Sequence, residues 1–382
     1  MKKLRTIGRL ADLTDAEACP RLVIKVGSSL LVGTDGAPRS DWLATLVGEI
    51  AAAHGRGQEI LVVSSGAIAL GARRLDLSRG GRASLADAQA AASVGQIALA
   101  GLWADLLAAH GITAAQMLLT LDDLEDRRRY LNATATLGRL LAAHAVPVIN
   151  ENDSVATNEI RFGDNDRLAA RVAQAAGANA VILLSDVDGL YDRNPKAEGA
   201  QLLRIVRGIT AEVHAMADGG SGSGMGSGGM TSKLQAAEIA ERAGIALAIL
   251  NGTHDAPLGR ALSDGSGTLF MPRASGNVGR KAWLGGRLRL RGALVIDQGA
   301  ARALHAGSSL LAAGITAVEG SFARGDAVAV RDADGAILAH GLAEYGAGEC
   351  ELLMGRHSRD HAGLLGYAPR SAVIHRDQLV LL

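Results

Sequence analysis

The sequence is poor in aromatic residues, cysteine and lysine, and it carries no formal net charge. Phe, Trp and Tyr make up 3% of the 382 residues, so a core must be built from Ala, Leu, Val and Ile. The two cysteines, Cys19 and Cys350, have no metal-ligand or redox spacing, which excludes a disulfide framework and points to a reducing compartment. Zero net charge argues against strong non-specific binding to nucleic acid or to an anionic membrane. Long uncharged apolar runs are missing too, since Asp105 interrupts "IALAGLWADLLAAHGI". The N-terminus starts basic, but Arg9, Asp12, Asp15 and Glu17 break the apolar region that a signal peptide needs. The expected location is cytoplasmic, with no membrane partner.

What is present is a strand–helix alternation in a chain long enough for two domains. Short apolar runs suit strands buried on both faces: "RLVIKV", "EILVVS", "ITAAQMLLT", "AVPVINEND", Ala180–Leu184 and "IALAILNG". Helical spacing is predicted over Ser40–His54, over Ala83–His110 with a break near Gly95, over Asp122–His144, over Asn165–Ala176 and after Lys233. This pattern predicts a doubly wound, mainly parallel α/β sheet with helices on both faces. Beyond about residue 291, the runs "ALVID", "AVAVRD" and "AILAHG", spaced by Gly turns, predict a small β-rich domain. The expected divisions are an N-terminal extension (1–20), the α/β domain (21–273), a linker (274–290), the β-rich domain (291–369) and a tail (370–382).

In open α/β sheets ligands bind at the carboxyl ends of the strands. Polar clusters fall at four such ends: Gly27-Ser28-Ser29, Ser64-Ser65-Gly66, Asn150 to Asp153, and Ser185-Asp186. The stretch "GSGMGSGGMTSK" (222–233) reads either as a flexible linker or as a loop that wraps a phosphate. Its position before a helix that Thr231 or Ser232 can cap favours the phosphate, because a helix N-terminus offers unpaired N–H groups. Leu234 after Lys233 rules out a Walker A motif. The chain has six lysines, at 2, 3, 25, 196, 233 and 281, against an arginine-rich background. Lys25 inside an apolar strand is therefore either a snorkelling edge residue or a cation for a phosphate. "GDND" (163–166) and "INEND" supply acids and amides that suit turns and caps as well as a substrate or Mg²⁺ site. His357 and His361, four apart without a Glu or Cys partner, are expected to be surface residues.

Taken together, "VIKVGSSLL", "VVSSGAIALG", "VGQ", "QMLLT", "RRYLNATATL", "VPVINENDSVATNEIRFGDND", "LLSDVDGLY" and "GMGSGGMTSKLQAAEIAERAGI" resemble the glutamate 5-kinase family of the amino acid kinase superfamily. The later "GSFARGDAVAV" and "LLGYAPRSAVIHRD" resemble the PUA domain of its bacterial members. The resemblance implies ATP-dependent phosphorylation of the γ-carboxylate of L-glutamate with Mg²⁺, the first step of proline biosynthesis. It also implies feedback inhibition by proline and a homo-oligomer, dimer or tetramer. It would have Lys25 and Lys233 contact the phosphates and Asp166 hold the two lysines. ATP would be bound by Lys25, Ser185, Asp186, Ser227, Gly228, Gly229, Met230, Thr231, Ser232 and Lys233, and glutamate by Ser65, Asp153 and Asn165. It assigns no metal ligand. A carboxylate nucleophile is already ionised at neutral pH, so the lack of a catalytic histidine or Ser-His-Asp set agrees with it. The rivals are a sister kinase for acetylglutamate or aspartate, and an RNA-binding PUA protein. Against the last, residues 291–369 hold six arginines, no lysine and nine acidic residues, whereas an RNA surface should be basic.

Overall fold

The structure, a computed structural model, describes residues 6–155, 164–218, 229–272 and 290–382. The chain divides into two units: Met1–Glu125 with Ala133–Gly276, and Asp126–Asn132 with Asn277–Leu382.

The first unit is built on eight strands: β1 (Arg21–Val26), β2 (Glu59–Ser64), β3 (Ala114–Leu119), β4 (Val146–Glu151), β5 (Ala180–Ser185), β6 (Ile205–Arg207), β7 (Ala246–Asn251) and β8 (Thr268–Met271). Their order across the sheet is β3-β4-β2-β1-β5-β7-β8-β6. All pairings are parallel except β7 with β8. The helices are α1 (Ser28–Leu31), α2 (Ser40–Gly55), α3 (Ala67–Arg74), α4 (Leu85–Ala108), α5 (Leu121–Glu125), α6 (Arg127–Ala142), α7 (Asp164–Ala176), α8 (Ala211–Asp218), α9 (Met230–Arg242) and α10 (Pro257–Asp264). Central strands are buried along nearly their whole length, which is why β1 and β5 read as unbroken apolar runs.

Six of the eight strands match the periodicity. The two others are short: β6 is a three-residue strand with only Val206 buried, and β8 runs back against β7. Three expectations are corrected. First, α4 runs unbroken through Gly95, which sits where α4 crosses α3. Second, the stretch after Asp122 is two helices, because Asp126 restarts the second by accepting from the Arg129 N–H at 3.0 Å. Third, the N-terminal segment is no loose extension, since Leu10, Leu13 and Cys19 lie in the core of the first unit.

By length and composition α4 could cross a membrane, but Leu99, Trp103 and Leu107 on it are fully buried in the core of the first unit.

The second unit holds a five-stranded sheet of β9 (Gly292–Ile296), β10 (Ile315–Gly320), β11 (Ala327–Arg331), β12 (Ile337–Leu342) and β13 (Leu379–Leu381), ordered β10-β9-β11-β12-β13. Its core includes Leu294, Val328, Val330, Tyr345, Val373 and Ile374. The expected tail, 370–382, is thus built into this unit: Val373 and Ile374 fill its core and β13 completes its sheet. The expected linker lies almost wholly outside the described residues. His357 is exposed as expected, but His361 is buried, with Nε2 facing the Arg356 carbonyl at 3.2 Å.

Candidate active site

The register of the parallel strands sets the site. Lys25 on β1 stands level with Val63 on β2 and Leu183 on β5, one residue before β1 and β2 end and two before β5 ends. β1 is therefore an interior strand, which removes the snorkelling reading of Lys25. At 7% exposure its ammonium needs a partner, and it lies 2.6 Å from Asp166 Oδ1. Lys233, on the first turn of α9, reaches the other oxygen of the same carboxylate at 3.2 Å. Asp166 is fully buried. Burial alone would push its carboxyl pKa up, but Lys25 and Lys233 outweigh this and hold it below the ordinary aspartate value. Two ammoniums share one carboxylate, so the cluster keeps one net positive charge.

The surroundings suit an anion. Gly27 has φ −72°, which any residue adopts, so its backbone does not require glycine. A Cβ there would sit 3.7 Å from Lys25 Nζ, so the missing side chain leaves space beside the ammonium. No side chain caps α9: its N-cap is Gly229, not Thr231 or Ser232. Ser232 Oγ instead lies 3.1 Å from both Asp166 Oδ2 and the Gly229 carbonyl, with one proton to give to either. The helix N-terminus therefore presents backbone donors close to the lysine pair.

Asn165, the neighbour of Asp166 on α7, faces a second cluster. Its Nδ2 donates to Ser65 Oγ at 2.6 Å and to Asn150 Oδ1 at 3.1 Å. Asn150 Nδ2 donates to Gln96 Oε1 on α4 at 2.8 Å. Ser65 precedes Gly66, whose φ of 113° lets the chain turn from β2 into α3 where a side chain would press on Leu31. Asp153 is buried and shares a cavity of about 330 Å³ with Gln96, Gln116, Glu151 and Asn152. Burial pushes the Arg82 guanidinium pKa down and Asp153 opposes that shift, so the two interact.

At the end of β5, Ser185 Oγ donates to Asp186 Oδ1 at 3.2 Å, and the Gly252 N–H donates to the Ser185 carbonyl at 2.7 Å. Asn251, level with Ser185, donates to Asp188 Oδ1 at 2.7 Å, and Tyr191 donates to Asp188 Oδ2 at 3.1 Å. The structure thus brings Lys25, Asp166, Ser232 and Lys233 together in one cluster and Ser65, Asn150 and Asn165 in another. Met230 and Thr231 lie on the first turn of α9. Ser227 and Gly228 lie outside the described residues.

Residues 20–251 match the model of the amino acid kinase family, and residues 292–364 match that of the PUA domain. The chain belongs to the amino acid kinase family. Relatives named glutamate 5-kinase cover nearly all of it. That of Novosphingobium aromaticivorans is 70% identical over 376 residues, 98% of this chain and 100% of that protein. That of Sphingopyxis alaskensis is 60% identical across 96% and 98% of the two chains. That of Zymomonas mobilis is 57% identical across 96% and 92%. Within the family, the sequence groups with the glutamate 5-kinases.

Gln96, Asn251 and Arg82 were not singled out as site residues in this amino acid kinase sequence. Asn251 carried a usable signal: like Ser64 and Ser185 it is a polar residue closing a buried apolar strand. Gln96 closes the "VGQ" stretch of the resemblance, which gives it no role, and it is otherwise one amide in an Ala-rich helix.

Proposed function

We propose that the chain transfers the γ-phosphoryl group of ATP to the side-chain carboxylate of L-glutamate, giving L-glutamyl 5-phosphate and ADP in the first step of proline biosynthesis. The observation that carries this reading is the first turn of α7. There Asn165 joins the Ser65–Asn150 cluster while the adjacent Asp166 holds Lys25 and Lys233. An amino-acid subsite and an anion subsite thus adjoin on one backbone segment.

The reaction brings a carboxylate up to a polyphosphate, so its barrier is largely electrostatic. Glutamate needs no general base, because its side chain is already ionised at neutral pH. Lys25, Lys233 and the N–H groups at the start of α9 face the charge that builds on the transferring phosphoryl group. Asp166 acts through the lysines: it fixes both ammoniums and lowers the cost of burying two like charges. Ser185 and Asp186 serve the nucleotide end, and Ser65, Asp153 and Asn165 serve glutamate. Among the described residues no cluster of three His, Cys, Asp or Glu side chains could hold a metal ion. Asp166 is already committed to the lysines. This donor set fits a Mg²⁺ carried by the nucleotide phosphates, which would neutralise phosphate charge, and does not fit a protein cage. Feedback inhibition by proline, assembly into a dimer or tetramer and a cytoplasmic location go with the same reading.

A hydroxamate assay with ATP and Mg²⁺ tests the proposal on L-glutamate, N-acetyl-L-glutamate and L-aspartate. Hydroxamate should form from L-glutamate, with the other two giving under about 1% of that rate. Faster turnover of either rival would replace glutamate as the substrate.

A further inference from the structure

An amide NH₂ has two protons to give, and an amide oxygen only accepts. Asn165 spends both protons, on Ser65 Oγ and on Asn150 Oδ1. Its own Oδ1 is buried and has no hydrogen-bond partner among the described residues. Asn150 uses its oxygen for Asn165 and its NH₂ for Gln96 Oε1. The three side chains form a directed relay with two settings. If Gln96 turned its NH₂ inward, Asn150 would have to offer its oxygen to Gln96 and its NH₂ to Asn165. The Asn165 oxygen would then be occupied, and an N–H would be released as a spare donor instead.

The cavity that Gln96 lines also includes Glu151 and Asp153. Carboxylates in that lining favour an amide with NH₂ toward the cavity and oxygen toward Asn150. We infer that Gln96 sets the polarity of this relay and is a positioning residue for the substrate's ammonium group. The inference rests on the proposed glutamate reaction. With the oxygen of Gln96 inward, Asn165 keeps a buried acceptor that a ligand N–H can satisfy. Ser65, accepting from Asn165, keeps its hydroxyl proton to give to a carboxylate. The pair suits a free amino acid and disfavours a dicarboxylate without the amine, because a buried acceptor left unpaired carries a free-energy cost.

Steady-state kinetics at pH 8 with saturating ATP would compare wild type, Gln96→Met and Gln96→Glu. Methionine keeps the length and loses the acceptor, whereas a glutamate carboxylate at this pH only accepts. Gln96→Met should raise KM for L-glutamate about tenfold and leave KM for ATP within about twofold. Gln96→Glu should stay within about threefold of wild type for both. The inhibition constant of glutarate, which keeps the carboxylates but lacks the ammonium, should rise by no more than about threefold in either variant. The relay is overturned if Gln96→Met keeps the wild-type KM for glutamate, if Gln96→Glu rises as far as Gln96→Met, or if glutarate weakens in parallel with glutamate. Wild-type protein that forms no hydroxamate from L-glutamate overturns the substrate reading and the inference with it. A failed relay leaves wild-type turnover intact, so the two failures are distinct.

Discussion

The ammonium of Lys25 lies 2.6 Å from one oxygen of Asp166, and that of Lys233 lies 3.2 Å from the other. All three groups are buried, so this carboxylate is what makes two ammoniums tolerable in the interior. The lysines depress its pKa despite burial. A depressed carboxylate contributes stability that is present above its unfolded pKa, ~3.9, and is lost as pH falls through the lower folded value. Asp166→Asn should therefore cost about 3–5 kcal/mol at neutral pH, because it removes the carboxylate that two buried ammoniums share. Melting curves for wild type and variant should differ most near pH 7 and converge below about pH 4. A pH-independent gap would contradict this account.

Lys233 should act mainly on the transition state. Its ammonium stands at the start of α9, on the Asp166 carboxylate. Lys233→Ala should lower kcat by about 10²–10³ while raising KM for glutamate less than about threefold. Lys233→Arg should rescue little, since a planar fork cannot replace a compact ammonium beside a filled carboxylate. Initial rates over a glutamate series at saturating ATP separate the two parameters. A raised KM with unchanged kcat would assign Lys233 to ground-state binding.

Much of this site was legible because burial rules are strict. A lysine within "LVIKV" must find a partner, and polar residues closing apolar strands mark the ligand end of a parallel sheet. Lys25 and the clusters that hold Ser65, Asp153 and Ser185 stand out on those grounds, and Lys233 stands out at the end of a Gly-rich stretch that leads into a helix. What the residue pattern alone does not give is pairing, and only the family resemblance implies that Asp166 holds the two lysines. Nothing in "GDND" says that Asp166 turns to the lysines while Asn165 turns to Ser65, because adjacent residues on a helix diverge by about 100°. Ser232 looked like a cap, yet the helix begins two residues before it and its hydroxyl lies 3.1 Å from Asp166 Oδ2. The antiparallel β8 and the restart of the helix at Asp126 depend on tertiary contacts and local hydrogen bonds that periodicity does not encode.

The stretch 291–369 should not bind RNA tightly. Nine acids against six arginines leave that stretch net negative. Arg324 and Arg331 are further engaged with Glu344 and Glu319. Filter binding with structured RNA at ~0.15 M salt should give a Kd weaker than about 10 μM and no steep salt dependence. Tight, salt-sensitive binding would show that a local basic surface outweighs the net charge.

Gly95 tests how closely α3 and α4 must approach. A Cβ on Gly95 would land on the Ala67 carbonyl oxygen, and one on Gly71 would land on the Ala91 carbonyl oxygen. The helices therefore touch backbone to backbone at two reciprocal points, and no side chain can yield. Ser65 lies two residues before α3, and Gln96 directly follows Gly95, so a wider crossing displaces both ends of the amide cluster. Gly95→Ala should cost about 1–3 kcal/mol and raise KM for glutamate more than KM for ATP. Gly101, on the same helix with nothing within 4 Å of its added Cβ, supplies the control. Gly101→Ala should be neutral or stabilising by up to about 1 kcal/mol, since alanine favours the helix. Thermal melts and substrate titrations of both variants check this. Equal effects at 95 and 101 would mean that helix propensity, not the crossing, sets the cost.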